Sequence, residues 1–209
     1  MHEVKGGNMR RNRRSLLLGA VLALAAALML LTTFASASSG GAQHVRWDII
    51  SIPGGTPGPG AHVNPGGHAS ASAANGGDTI TLMGSGTFVA PASGGGSGAA
   101  TGGGTWSASG GGNGTYTVTA LVSWENAGAQ TDIGLISSID EGTATNGTAV
   151  LAIAFSDGSQ GVLTVGCHGP GAPAGIFEGI ATTKGYKTYY NVSPPVAGVD
   201  ANRTTFHVR

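Results

Sequence analysis

Thr79-Ile80-Thr81-Leu82-Met83-Gly84-Ser85-Gly86-Thr87-Phe88 alternates over its whole length. Ile80, Leu82, Gly84, Gly86 and Phe88 fall on one face, and the threonines and Ser85 fall on the other. A period of two is that of a strand with one face buried, and it predicts an antiparallel sheet. Thr115 to Trp124 repeats the device, with Tyr116, Val118, Ala120, Val122 and Trp124 expected on the inner side. Ala149 to Phe155 and Gly161 to Cys167 flank Ser156-Asp157-Gly158-Ser159-Gln160, whose Asp-Gly step predicts a hairpin.

Outward from these, strands are expected at His44–Ile52, Ala69–Ala73, Gly104–Ala108, Ile133–Ile139, Gly175–Thr183, Tyr186–Asn191 and Thr204–Val208. Turn chemistry separates them at Asn75-Gly76-Gly77-Asp78, Asn113-Gly114, Asn146-Gly147 and Lys184-Gly185. Pro53–Gly67, Ala90–Gly104 and Ser109–Gly114 are rich in glycine, serine and proline, have little to bury, and are expected as loops. No stretch beyond the leader carries a 3.6-residue apolar stripe. The fold class expected is all-β: a single antiparallel β-barrel of about eight strands, with a β-sandwich as the alternative. Small residues alternating with large ones favour the barrel, where strands approach closely. His-Val-Arg occurs at His44 and again at His207; nothing around it repeats, but first and last strands that pair would make the two neighbours.

The chain has 209 residues, 39 of them glycine, and its ten basic and ten acidic residues are unevenly placed. Arg10, Arg11, Arg13 and Arg14 precede an uncharged run from Leu16 to Ala35, and Ala35-Ser36-Ala37 follows the small-x-small cleavage pattern. Residues 1–37 are therefore read as a signal peptide, with an uncleaved anchor as the alternative. Arg13-Arg14-Ser15-Leu16-Leu17 has the twin-arginine pattern, although Sec signals also carry arginines. A Gly/Pro-rich segment with one strand, 38–67, would then lead into the domain, 68–209. Beyond Ala37, five basic residues (Arg46, Lys184, Lys187, Arg203, Arg209) stand against nine acidic ones, a net of −4. So sparse a charge argues against nucleic-acid partners, which need clustered cations. The expected location is secreted or at the cell surface, the export machinery being the one partner the leader implies.

One cysteine excludes an intrachain disulfide framework and multi-thiolate metal sites. His62 and His68 share a loop and could be joined by Cys167 or His168, but the spacing defines no geometry. Neither a metal nor a cofactor is expected. Cys167 shares a face with Leu163 and Val165 and reads as a buried, inert thiol. The four N-x-S/T sequons, at Asn113, Asn146, Asn191 and Asn202, are not read as glycosylation sites. None of the common nucleophile-elbow, zinc-protease, Walker or dinucleotide motifs occurs.

Glu178 between Ile176 and Ile180 would look into a cavity or sit outward on an apolar flank, and burial would raise its pKa toward the working range of an acid or base. If the faces carrying Glu178 and His168 line one interior, the two converge as a catalytic pair. Trp47, Trp106 and Trp124, with Tyr116, Tyr186, Tyr189 and Tyr190, could form a surface for stacking on a ligand. Trp124 and Tyr116 read as core, and Trp106, Tyr189 and Tyr190 are the candidates, although one of the two adjacent tyrosines must face outward.

Gly175-Ile176-Phe177-Glu178-Gly179 resembles the G-x-F-x-G segment of the allene oxide cyclase and dirigent β-barrels, with Gly84-Ser85-Gly86-Thr87-Phe88 a looser echo. The resemblance implies an eight-stranded antiparallel barrel that guides small molecules, and it carries no catalytic residue across. The run Gly77–Leu82, Gly86-Thr87-Phe88 and Gly104-Thr105-Trp106 is similar to secreted bacterial proteins of unknown function. The function expected first is a non-enzymatic extracytoplasmic protein that binds a small apolar or sugar-like molecule. The alternatives are a cofactor-independent cyclase or isomerase using Glu178 and His168, and a structural component of the cell envelope.

Overall fold

A computed structural model describes residues 41–209 apart from 55, 75–76, 92–93 and 140, and these form twelve strands and their connections, with no helix among them. The leader expected at 1–37 lies outside them. In chain order the strands are β1 (Gln43–Ile52), β2 (His62–Pro65), β3 (Ala69–Ala73), β4 (Thr79–Ala90), β5 (Ala100–Ala108), β6 (Asn113–Ala129), β7 (Ile136–Ser137), β8 (Thr143–Phe155), β9 (Gln160–Cys167), β10 (Gly179–Lys184), β11 (Lys187–Val192) and β12 (Gly198–Val208). The fold is all-β, built on one large sheet.

β4 and β8 are long enough to carry two strands end to end along one edge. β3 pairs with Thr79–Leu82 of β4 and β1 with its Ser85–Ala90 half. On β8, β9 pairs with Gly147–Ala154 and β12 with Thr143–Thr145. Two circuits of pairing result. One runs β4-β5-β6-β8-β9-β10-β11-β3 and returns to β4; the other runs β4-β5-β6-β8-β12-β1 and returns to β4. The two His-Val-Arg tripeptides meet on β1 and β12: Val45 pairs with Val208, Arg46 with His207, and the Arg209 amide donates to the His44 carbonyl at 2.9 Å.

The inward face of these strands encloses one main core. Trp47, Ile80, Leu82, Phe88, Trp124, Leu151, Leu163, Ile180 and Phe206 are all buried in it. Trp124 meets Phe206 edge-on at 4.6 Å between centroids and Phe88 at 5.5 Å. Each such side chain contributes about 1.5–3 kcal/mol of transfer free energy. The outer face of β1 is covered separately. Ile50 and Ile52 pack with Val63 and Ile139 in a second, smaller cluster, with Ala61 and Leu135 against it.

Several expectations are corrected. Val122, expected inward, is 50 % exposed, and Leu121 is buried in its place. The register of β6 against β8 shifts between Val118 and Ala120 and again between Leu121 and Ser123, and each extra residue turns the alternation over. The Pro53–Gly67 loop contains β2, so the segment 38–67 carries two strands, and β1 is integral to the sheet. The strand expected over Ile133–Ile139 shrinks to two residues that pair in parallel with β2. The strand expected from Gly175 begins at Gly179, which leaves Glu178 in the bend before it.

Candidate functional site

Glu178 sits where β12 takes over from β9 on β8. Backbone donors at such a fork lose their ladder partners, and a buried N–H left unpaired is costly. The Glu178 carboxylate takes two of them: the His168 amide donates to Oε2 at 2.6 Å and the Thr204 amide to Oε1 at 2.8 Å. Thr204 Oγ1 donates to the Gly166 carbonyl at 2.6 Å, and Asn146 Oδ1 accepts from the Gly169 amide at 2.8 Å. Burial pushes the Glu178 carboxyl up to about 7, against the opposing pull of the two N–H donors and the Arg203 charge.

Glu178 and His168 therefore come together, through the backbone of His168. The imidazole itself is exposed, and its Nδ1–H donates to the Ile176 carbonyl at 2.8 Å. The space beside the carboxyl, also bordered by Arg203, Cys167 and Ile52, is about 50 Å³, which holds one or two waters. Cys167 is buried; desolvation drives its thiol pKa up, and Gln130 Nε2 donates to its sulfur at 3.2 Å.

The aromatic candidates separate. Tyr189 and Trp106 face inward and line one open cleft of about 310 Å³, while Tyr190 lies on the opposite face of β11, 60 % exposed. This cleft lies among the β5–β6, β8–β9 and β10–β11 turns. Lys184 reaches over the Trp106 ring, its Nζ 4.2 Å from the centroid, and pairs with Asp157, whose carboxyl that ammonium holds down at about 2. Lys187 pairs with Asp78 at 2.6 Å. Tyr186 stands beside them at the turn, 94 % exposed. Trp106 Nε1 is buried without a partner. The close fit depends on glycine: a Cβ on Gly112, whose φ is +91°, would stand 3.0 Å from the Trp106 ring.

Sequence reasoning reached Trp106 and Tyr189, included Tyr186 among the rings that could stack, and passed over Lys184, Lys187, Asp78 and Asp157. Lys184, Asp78 and Asp157 belong to the turns Lys184-Gly185, Asn75-Gly76-Gly77-Asp78 and Asp157-Gly158, so turn chemistry located them without showing that the turns meet. His62 and His68 do not gather with Cys167 or His168; His68 Nδ1 lies 3.1 Å from Asp200. Among the described residues, no three His, Cys, Asp or Glu side chains form a group that could hold a metal ion. No family model, curated protein or solved structure matches the chain.

Proposed function

We propose that the chain is an exported, non-enzymatic binding protein built on a forked β-barrel, and that the cleft of Trp106, Tyr186 and Tyr189 takes a neutral, hydroxyl-rich ligand of the saccharide class. The eight-strand circuit of pairings supports the barrel, with β1 and β12 narrowing its other end to six. The observation that carries the ligand reading is Tyr186, a large aromatic ring held almost wholly in solvent beside an aromatic-walled cleft. Each lysine there is matched by an aspartate, so the cleft offers donors and acceptors without net charge. Such pairs suit hydroxyl groups, and aromatic rings suit the apolar faces of a sugar.

The test is titration with chito-, cello- and malto-oligosaccharides followed by tyrosine and tryptophan fluorescence. Saturable binding of at least one series, weakened about tenfold or more by Tyr186→Ala, is expected, since a stacking ring contributes on the order of 1–3 kcal/mol. Binding of none of them, or binding indifferent to that substitution, overturns the reading. The enzyme alternative needs substrate room at Glu178, and the roughly 50 Å³ there supports it less.

A structural role in the cell envelope has one observation in its favour. From Ala69 to Trp124 the sequence has one charge, Asp78, and the outward side of β4–β6 presents Thr87, Thr101, Thr105, Thr115 and Thr117. Co-sedimentation with insoluble wall material, independent of Tyr186, would favour that role over the cleft.

A further inference from the structure

We infer a second ligand site at the other end of β4 and β5, one that takes a small carboxylic acid with a short apolar body. The row Thr101, Thr87, Arg46, His207, Ala144 runs across five paired strands, β5-β4-β1-β12-β8. On the adjoining row Asp48 is fully buried and held by Arg46, whose Nε donates to Oδ2 at 2.7 Å and Nη2 to Oδ1 at 3.0 Å. Arg46 Nη1 lies 3.0 Å from Glu141 Oε1, and Arg209 Nη2 lies 2.8 Å from Glu141 Oε2. In a chain so poor in charge, four charged side chains and two histidines, His44 and His207, gather at one place.

Stability does not explain them. Burying an ion pair costs desolvation that apolar residues of the same volume would avoid. His207 adds a second cost: it is 4 % exposed, and its Nδ1 is buried with no protein partner. Its ring lines two clefts. One, about 320 Å³, is walled by His44, Arg46, Glu141 and Arg209; the other, about 230 Å³, lies between the sheet and the covering segment and is walled by Val63, Ile133 and Leu135, with Asp132 beside them.

Glu141 marks what the first cleft is built to hold. One carboxylate oxygen faces each arginine, so a single carboxylate bridges the two guanidinium groups and is held by charge-assisted contacts on both sides. With Asp48 fixed on Arg46, the two arginines and two acids cancel when Glu141 is in place, and the site has room for one monoanion when it swings out. The Glu141 and Arg209 side chains are 37 % and 59 % exposed, and ion pairs so exposed are weak enough to exchange. A ligand carboxylate takes the place of Glu141, and its apolar body passes His207 toward Val63, Ile133 and Leu135. This site shares no residue with the aromatic cleft and stands or falls apart from it.

The test follows the imidazole signals of the histidine-labelled protein by NMR during titration with acetate, hexanoate, hexanol and inorganic phosphate. Hexanoate is expected to shift His207 saturably and more tightly than acetate, with no saturable response to hexanol or phosphate. Glu141→Gln, which weakens the internal competitor, is expected to tighten hexanoate about tenfold, and Arg209→Ala to weaken it about tenfold, the worth of one charge-assisted bond. Both positions are partly exposed, so both variants fold. The site is refuted by the absence of a saturable shift with hexanoate in wild type and Glu141→Gln alike, by an equal response to hexanol or phosphate, or by indifference to Arg209→Ala.

Discussion

Gly84 faces the core from β4, and a Cβ there would overlap the Tyr116 hydroxyl and stand 2.6 Å from the Gly103 carbonyl. Gly86, two residues on, leaves the same kind of space for Trp47, whose Nε1 would lie 2.8 Å from an added Cβ. The inward glycines of the alternating run are thus the receptors of large rings from β6, one strand beyond β5, and from β1. Gly84→Ala is expected to lower stability by about 1–3 kcal/mol through overpacking, read as a lower midpoint in urea with an unchanged slope.

Glu178 argues differently, because its effect depends on pH. Its folded pKa, about 7, lies above the ordinary value of 4.5, so the folded state holds the proton more tightly. The stabilisation is complete below about pH 4.5 and is lost as pH rises through 7, amounting to up to about 3 kcal/mol. His207, whose pKa burial lowers, works in the opposite direction near its ordinary range, so the slope must be taken as a difference. Wild type is expected to lose thermal stability from pH 5 to 7.5 relative to Glu178→Gln, which cannot titrate. Parallel melting curves across that range would show that the carboxyl does not titrate there.

At the scale of elements, β12 shows what the alternation rule could and could not reach. Its sequence Thr204-Thr205-Phe206-His207-Val208 reads as a strand, and it is one, but it begins six residues earlier, at Gly198. Periodicity, with turn signals, located eleven strands, most of which bury one face, although β7 buries neither of its residues and β1, β10 and β12 are buried on both faces over part of their length. It missed β2, whose four residues include a proline and have only Val63 buried. It also assigned Val122 to the wrong face, since a bulge depends on the partner strand and leaves no mark in the strand that carries it. The cleft was half legible for a related reason: Trp106 and Tyr189 stand out by type, whereas Lys184 and Lys187 matter by where their turn arrives. β12 lies between β1 and β8, so deleting residues 203–209 would leave two long strands with unpaired edges and remove Phe206 from the core. Such a truncation is expected to abolish the cooperative melting transition, whereas Tyr190→Ala, on the outer face of β11, should leave it within about 0.5 kcal/mol.

For the molecule as a whole, stability is divided between two cores of unequal size. The main core is enclosed by strands each paired on both sides, so its amides can exchange only when much of the sheet opens. The cover over β1 rests on Ile50, Ile52, Val63 and Ile139, and β7 is joined by two residue pairs to β2 alone. Few buried apolar groups and a short ladder define a region that opens before the rest. The Ile136 amide, which donates to the Ala61 carbonyl, and the Ser138 amide, which donates to Val63, should therefore exchange hydrogen well before those of Leu151 and Leu163. Ile139→Ala removes one of the four buried anchors of the cover. It is expected to speed exchange at Ile136 and Ser138 by on the order of tenfold or more, with Leu151 and Leu163 changed far less. Equal acceleration at all four amides would mean that cover and main core unfold as one unit. The cleft of Val63, Ile133 and Leu135 would then be a fixed cavity; unequal acceleration would make it one that opens from its cover.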